Sequence, residues 1–293
     1  MKLNPLSIEF LGFKKSLRTL PFYFARGILK FYTFPVRIGT SMEVHISPTI
    51  PKPLLFALLE RLMQNGWQPT MTEGAHASIP LQDWKFYGIA PNMVLSRHIE
   101  LAQTVISTPS DQIPESEECK NFLISFDKSI EKLQKNTVIF QIHDLLAYDT
   151  SLPLCETIHH WKDGIEVESD DQAYYWVSPR DVSDAIVMCL SMQSLPDIIE
   201  ICGRRGWSIE DTQSEFSVLF SRWNQSKSGE FRKETLQSIE LPLMIQAYTG
   251  TPPNRPNLEP LHSLLLRKRQ DGWRPYVPLR TMLMELIASI EKM

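Results

Sequence analysis

The stretch that decides the fold is Tyr175-Trp176-Val177-Ser178-Pro179-Arg180-Asp181-Val182-Ser183-Asp184-Ala185-Ile186. Its first part is aromatic and β-branched, and together with the residues before it predicts a strand over 173–177. Ser178 then has the position of a helix N-cap, with Pro179 at the first helical position and Asp181 at the third. Apolar residues follow at helical spacing. A strand that leads directly into a capped amphipathic helix is typical of an α/β protein.

The same alternation of strand and helix runs through most of the chain. Strands are predicted over 42–47, 68–72, 104–107, 137–142 and 197–202, and helices over 54–65, 119–135, 208–223, 258–269 and 279–290. Polar loops are predicted over 109–118 and 224–235, and an extended proline-rich segment over 250–260. The predicted architecture is therefore α/β, a mostly parallel sheet flanked by helices.

The formal net charge of −4 hides a strong asymmetry along the chain. Residues 1–40 carry seven basic residues and one acidic residue, which makes this segment +6 and the remaining chain −10. The same segment is rich in aromatic residues, and 20–34 is predicted as one helix with aromatic side chains around most of it. A body of net charge −10 repels phosphate backbones, so nucleic-acid binding is not expected.

Three roles are open for this basic aromatic extension: docking on an acidic protein surface, folding back on its own acidic body, or lying on an anionic membrane. It is not expected to be a secretory signal, because Arg18, Arg26 and Lys30 interrupt its apolar residues, and no apolar run is long enough to span a bilayer. Trp, Tyr and Arg dominate binding hot spots, which makes a C-terminal surface a second interface candidate. The interface candidates are Lys14, Lys15, Arg18, Phe22, Tyr23, Arg26, Phe31, Tyr32, Trp273 and Arg274.

Other groups of reactive or charged residues favour structural roles. The four cysteines show no metal-binding spacing and are expected to be reduced and buried. His159 and His160 are adjacent and point to different sides of a helix, so no metal site is predicted there. Ser125-x-x-Lys128 matches a nucleophile signature without its companion motifs. Arg204-Arg205, which lies in a turn between Gly203 and Gly206, is interpreted as surface charge.

Four short strings in the second half resemble landmarks of one family. They are Val138-Ile139-Phe140-Gln141-Ile142-His143-Asp144-Leu145-Leu146-Ala147-Tyr148, the stretch Tyr175–Ile186, Ile199-Glu200-Ile201-Cys202-Gly203 with the helix start at Ser208, and Gly272-Trp273-Arg274-Pro275. In this order they resemble the C-terminal half of extended short-chain dehydrogenase/reductases, the nucleotide-sugar epimerase group. The resemblance implies a Rossmann-like sheet, an NAD(P) cofactor and a nucleotide-sugar substrate.

The N-terminal half departs from that pattern where the family's chemistry would lie. A dinucleotide site needs glycines between the first strand and helix, but Ser47-Pro48-Thr49-Ile50-Pro51-Lys52-Pro53 has three prolines and no glycine. Lys52 is the one candidate for binding a phosphate. The catalytic Tyr-x-x-x-Lys pair also fails, because the position four residues before Lys128 is Ile124.

Two functional hypotheses follow. The first is a non-catalytic, cytoplasmic subunit or adaptor without a cofactor, which docks on other protein subunits and makes peripheral membrane contact at most. Its predicted organisation is an extension over 1–40 and an α/β domain over 41–293, with a degenerate nucleotide-binding half (41–150) and a C-terminal half (151–293). The alternative is an NAD(P)-dependent nucleotide-sugar epimerase or reductase with an atypical site. Its residues would be Lys52 for phosphate, Lys128 for general chemistry, and His143, Asp144 and Tyr148 at the pocket.

Overall fold

A computed structural model of the chain describes residues 42–111, 119–127, 136–165, 172–229 and 255–291. Within those ranges seven strands form one sheet in the order β3-β2-β1-β4-β5-β6-β7, and every neighbouring pair is parallel. The strands are β1 (Glu43–Ile46), β2 (Gln68–Met71), β3 (Leu95–Ser96), β4 (Thr104–Ser107), β5 (Lys120–Ser125), β6 (Thr137–Ile142) and β7 (Ile198–Ile201). The Rossmann-like α/β architecture is thereby confirmed.

Eight α-helices accompany the sheet in the described part of the chain. They are α1 (Lys52–Gln64), α2 (Glu73–Ser78), α3 (Leu81–Tyr87), α4 (Cys155–Asp163), α5 (Pro179–Leu190), α6 (Ile209–Ser228), α7 (Glu259–Leu266) and α8 (Leu279–Ile290). The predicted cap of α5 is present, since Ser178 Oγ accepts the Asp181 N–H at 3.0 Å. None of the described helices is long and apolar enough to cross a membrane.

Two apolar clusters form the core of the part of the chain that the structure describes. The larger one contains β-strand residues together with the buried faces of α1, α5 and α7. Five leucines of α1 at positions 54, 55, 58, 59 and 62 are at most 1 % exposed, as their helical spacing predicts. The second cluster joins α4, α6 and α8 around Trp161, Trp176 and Phe216. Helices α4, α6 and α8 therefore build a cluster of their own.

Three predicted elements are wrong or only partly right. The helix predicted over 119–135 begins instead as the central strand β5, because Phe122, Leu123 and Ile124 are buried between β4 and β6. The strand predicted over 173–177 makes only two isolated bridges, Leu145 with Val177 and Tyr174 with Trp207. The loop predicted from 224 starts later, since α6 continues to Ser228 and ends at Gly229, whose φ of 69° suits glycine.

The strand order places the expected ligand crevice between β1 and β4. At this point the sequence of strands reverses direction, and in open parallel sheets ligands bind beyond the carboxyl ends of the strands at such a reversal. We call the side of the sheet where the strands end its carboxyl edge. The residues that follow β1, β4 and β6 there decide whether a dinucleotide can bind. The extension over 1–40 lies outside the described residues, and its boundaries stay a prediction.

Candidate functional site

The loop after β1 is closed by side-chain hydrogen bonds to the loop after β4. Thr49 Oγ1 lies 2.7 Å from Thr108 Oγ1 and 2.8 Å from Asp111 Oδ2. The Thr108 N–H also donates to Asp111 Oδ2, at 2.7 Å. These polar groups therefore bond to each other at the place where a glycine-rich loop would leave room for a pyrophosphate.

The first turn of α1 offers no backbone donor to a phosphate. The Lys52 N–H donates to Asp149 Oδ2 at 2.9 Å, and the N–H groups of Leu54 and Leu55 both point to the Pro51 carbonyl at 2.9 Å. Pro53 has no N–H. An anion normally binds to these N–H groups at a helix N-terminus, and here the Asp149 carboxylate already has that position.

Two carboxylates, those of Asp83 and Asp149, contact Lys52 at this crevice. The Lys52 ammonium, the predicted phosphate ligand, pairs with Asp83 at 2.8 Å. The ring of Tyr87 stacks on that of Phe56, with 4.2 Å between the ring centroids. Burial first, and then the charges of Asp149 and Asp83, raise the pKa of its phenol. A pyrophosphate brought here would meet negative charge and a lysine that already has a partner.

The sequence lacks the Tyr-x-x-x-Lys pair that is catalytic in the family it resembles. None of the eight tyrosines in the whole sequence is followed by a lysine four residues later. Ser125, at the end of β5, is 1 % exposed, and its Oγ donates to the Asp127 carbonyl at 2.9 Å. The hydroxyl therefore has a structural partner. Lys128 lies outside the described residues.

The three predicted pocket residues after β6 each have a structural partner. His143 Nε2 lies 3.0 Å from Glu200 Oε1 on β7, and Asp144 accepts the Tyr175 N–H at 2.6 Å. Tyr148 Oη lies 3.0 Å from His159 Nε2, and burial is the main reason that the pKa of this phenol is raised. These contacts fix the loop after β6. In the described ranges no three His, Cys, Asp or Glu side chains group as a metal site.

A cavity of about 1010 Å³ lies at the C-terminal part of the fold, away from the loop after β1. It is bordered by the turn after β7, by α6 and by the segment that leads into α8. We call it the arginine pocket; its polar and aromatic lining residues are Arg204, Arg205, Arg274, Arg280, Glu215, Trp176, Trp207 and Tyr276. The lining thus includes four arginines and one acidic residue, Glu215, which is 4 % exposed and accepts a hydrogen bond from Arg280 Nε.

The walls of the arginine pocket are held by close packing and by hydrogen bonds of side chains. Gly203 lies against the Trp176 carbonyl so closely that a Cβ atom would be 2.2 Å from that oxygen. The Trp176 indole N–H donates to Thr212 Oγ1 at 2.9 Å, and its ring stacks on Tyr174 at 4.9 Å. On the opposite wall, Asp181 accepts the Tyr276 N–H at 2.8 Å and the Val277 N–H at 3.2 Å. The lining is therefore preformed.

The two C-terminal interface candidates differ in accessibility. Trp273 is 3 % exposed, and its indole N–H donates to the Cys202 carbonyl at 2.9 Å, so this side chain is part of the core and cannot contact a partner. Arg274 is exposed and lines the arginine pocket. The other eight interface candidates lie outside the described residues.

The sequence indicates Arg274 as an interface candidate and Arg204-Arg205 as surface charge, without a connection between them. The pair of glycines around Arg204-Arg205 was the available signal of a tight turn. Nothing in the sequence indicated that this turn would face a segment about seventy residues further on, which only tertiary contact reveals.

Comparison with known proteins identifies the fold. No family model and no curated protein sequence matches the chain. Among solved structures, the Bordetella bronchiseptica enzyme WbmH in complex with NAD⁺ is 11 % identical, with a TM-score of 0.51 over 86 % of this chain and 99 % of that chain. UDP-glucuronic acid 4-epimerase from Bacillus cereus, in complex with UDP-glucuronic acid and NAD, is 10 % identical, with a TM-score of 0.50 over 86 % and 99 %.

A third structure, dTDP-glucose 4,6-dehydratase from Bacillus anthracis in complex with NAD, is 12 % identical, with a TM-score of 0.50 over 86 % of this chain and 97 % of that chain. The resemblance predicted from the C-terminal strings is thus confirmed as a short-chain dehydrogenase/reductase-like fold. It is also wider than predicted, because the alignment covers both halves. At these identities the likeness concerns the fold.

Proposed function

We propose that this chain is a binding protein built on a short-chain dehydrogenase/reductase fold, and that it transfers no hydride to or from a dinucleotide. The proposal rests on one observation, the hydrogen bond that the Lys52 N–H donates to the Asp149 carboxylate. In this fold the first turn of that helix is the place where a pyrophosphate binds. A protein carboxylate and two prolines occupy it here, so the dinucleotide would lose its main anchor.

The absence of a proton-transfer pair supports the same proposal. Epimerisation and dehydration at a sugar carbon require a group that removes and returns a proton, usually a phenol whose pKa is lowered by a nearby cation. The described tyrosines near the carboxyl edge, Tyr87 and Tyr148, both have a raised pKa. Neither is prepared to act as a base near neutral pH.

The role of subunit or adaptor remains part of this proposal and rests on the charge pattern of the sequence. The +6 extension and the −10 body are suited to association with a partner that carries an acidic surface. Deletion of residues 1–36 tests it. We expect loss of co-purifying proteins from native cells, and unchanged co-purification of every partner would remove the docking role of the extension.

An NAD(P)-dependent nucleotide-sugar epimerase or reductase is the second candidate. The comparisons favour it over an adaptor, since the three structures quoted above are an epimerase, a dehydratase and a further enzyme, each with bound NAD. In that case the Lys52 ammonium would have to leave Asp83 and bind a phosphate. The two candidates therefore differ in one measurable property, the affinity for the dinucleotide.

Calorimetric titration of the full chain with NAD⁺, NADH, NADP⁺ and NADPH separates the candidates. The proposal expects no dissociation constant below about 100 µM, which corresponds to roughly −5.5 kcal/mol. Lys52→Ala and Lys85→Ala are the matched variants, because Lys85 is an exposed lysine of α3. Tighter binding that Lys52→Ala weakens and Lys85→Ala leaves unchanged would establish the second candidate and refute ours.

A further inference from the structure

We propose that the chain binds an acidic segment of a partner protein, with an aromatic residue among its carboxylates, on a basic surface at the arginine pocket. The inference deepens the proposed function and rests on it, because it names the chemistry of the partner that such a binding protein would take. The basic surface consists of Arg204, Arg205, Arg255, Arg269 and Arg274, together with Trp207 and Tyr276.

The basic surface carries positive charge that no carboxylate in the described ranges neutralises by an ion pair. Arg204, Arg205 and Arg274 are exposed and line the cavity, and none of them pairs with a described carboxylate. The fourth lining arginine, Arg280, differs because it pairs with Glu215. Guanidinium groups bind carboxylates through two parallel hydrogen bonds. The surface is therefore suited to a ligand with several carboxylates.

The positive charge extends past the cavity on two sides. The Arg255 guanidinium lies 6.0 Å from the ring centroid of Tyr175, whose carbonyl accepts the Gly203 N–H at the start of the turn after β7. The Arg269 guanidinium lies 5.8 Å from the ring centroid of Tyr276. Neither arginine lines the cavity, so a compact anion inside it would not reach them. An extended segment with repeated acidic groups can contact them and the lining arginines together.

Aromatic side chains lie beside these arginines on the rim of the pocket. Trp207 is partly exposed and Tyr276 is 55 % exposed. Tyr276 Oη donates to Asp271 Oδ2 at 2.9 Å, which orients the ring. This hydrogen bond is the main reason that the pKa of Asp271 is below its usual value, and the charge of Arg274 contributes. Trp, Tyr and Arg carry most of the binding energy at protein interfaces, so the rim suits an aromatic side chain of a partner.

The backbone that carries the lining arginines is held in place on both sides of the pocket. Gly203, at the start of the turn after β7, packs on the Trp176 carbonyl. In the segment before α8, Asp181 accepts the N–H groups of Tyr276 and Val277. The arginine side chains therefore start from fixed positions, which lowers the entropy cost of ordering them around a partner segment.

A protein segment fits this surface better than a nucleic acid does. Nucleic-acid binding needs a broad basic face that follows the phosphate backbone. The arginines of the basic surface are confined to one cavity and its rim, and the chain from residue 41 onward has a net charge of −10. A long phosphate backbone would run over that negative body, whereas a short acidic segment stays on the basic surface. Recognition of acidic motifs by clustered arginines is an established mode of peptide binding.

Calorimetric titration of the full chain at low ionic strength tests the proposal. The probe is a capped peptide in which three acidic residues flank a central phenylalanine on each side, and the reference peptide has serine in place of the phenylalanine. We expect a dissociation constant below about 100 µM for the probe and weaker binding of the reference peptide. Raising the salt from about 0.05 M to about 0.5 M should weaken the binding of both peptides, because exposed charges are screened.

Variants of exposed arginines assign the binding to the basic surface. Arg274→Ala and the double variant Arg204→Ala/Arg205→Ala should each weaken the binding of the probe at least about fivefold, because a hydrogen bond between charged groups is lost. Arg97→Ala is the matched control, since Arg97 is an exposed arginine that follows β3 and does not line the pocket. It should leave the affinity unchanged, and circular dichroism confirms that each variant is folded.

Two variants of Tyr276 measure the aromatic contribution. Tyr276→Ala should reduce the advantage of the probe over the reference peptide by about threefold or more, because the contact between the two rings is lost. Tyr276→Phe keeps the ring and should retain that advantage. An advantage that Tyr276→Ala leaves intact would contradict the aromatic part of the proposal.

Three outcomes would overturn the proposal. The first is no binding of the probe below about 1 mM. The second is an affinity that the arginine variants change no more than Arg97→Ala does; if deletion of residues 1–36 then abolishes binding, the acidic partner docks on the extension, as the proposed function expects. The third is UDP, pyrophosphate or an oligouridylate that binds more tightly than the probe, which would assign the surface to phosphate ligands. Tight binding of NAD⁺ that depends on Lys52 would refute the proposed function alone.

Discussion

Asp181 is the residue whose removal most directly tests how the C-terminal part is held together. Its carboxylate is 3 % exposed, and it accepts the Ser178 hydroxyl at 2.8 Å and the N–H groups of Tyr276 and Val277 at 2.8 and 3.2 Å. It therefore joins the start of α5 to the backbone that enters α8. Asp181→Ala breaks this connection and leaves two backbone donors without an acceptor.

The size of the effect follows from these three hydrogen bonds. Bonds to a charged group contribute about 1.5–3 kcal/mol each, and the longer one to Val277 less, so we expect a loss of about 3–5 kcal/mol in the free energy of unfolding. For a domain of this size that lowers Tm by roughly 6–15 °C. Asp181→Asn keeps one accepting oxygen and should lose about 2 kcal/mol.

Urea unfolding followed by tryptophan fluorescence gives the stability change. Asp211→Ala is the matched control, because Asp211 has the same third position in α6 after the N-cap Ser208. Its loss should cost only about 0.3–1 kcal/mol through the helix dipole. If Asp181→Ala loses under about 1 kcal/mol in the free energy of unfolding, the hydrogen bonds between α5 and α8 do not have the energetic role argued for them.

Three further predictions concern the close packing, the pH dependence and the crevice. Gly203→Ala should lose about 2–4 kcal/mol of stability by urea unfolding, since its Cβ would lie 2.2 Å from the Trp176 carbonyl oxygen, whereas Gly74→Ala, with open space around it, should lose none. Burial raises the pKa of the Cys189 thiol from 9.0 to about 12, so the folded state keeps a proton that the unfolded state loses. The free energy of unfolding therefore falls as the pH rises above 9. Between pH 9 and about pH 11, the wild type should lose about 2 kcal/mol more of this free energy than Cys189→Ala does. If urea unfolding gives the same pH dependence for both proteins, the prediction is wrong. Asp149→Ala removes the cap of α1, which should cost about 1–2 kcal/mol of stability and lower Tm by a few degrees. An unchanged Tm in a thermal scan would show that the contact of Asp149 to the Lys52 N–H contributes nothing to stability.

Local signals were sufficient for the helices with clear caps and periodicity. The boundaries of α8 were predicted to the residue, and α5 starts where Ser178 and Pro179 indicate. These elements are set by interactions within one or two turns, namely the cap, the fixed φ of proline and the apolar face. Such interactions are fully encoded in neighbouring residues.

The strand β5 shows where local signals fail. Its core, Phe122-Leu123-Ile124, is buried on both faces, so it lacks the alternation of polar and apolar residues that marks a half-exposed strand. An apolar run of this kind fits a buried helix equally well. Only the hydrogen bonds to β4 and β6 decide in favour of a strand.

The sequence by itself determined the α/β class, the family resemblance and the unsuitability of the loop after β1, because glycine, proline and capping residues act through their own backbone. It could not determine that Asp149 caps α1, that Trp273 is buried, or that Arg204, Arg205 and Arg274 line one cavity. Those facts depend on contacts between residues far apart in the chain, which exist only after the strands have taken their order in the sheet. The turn after β7 and the segment before α8 meet in that arrangement, and the charges on them become a pocket.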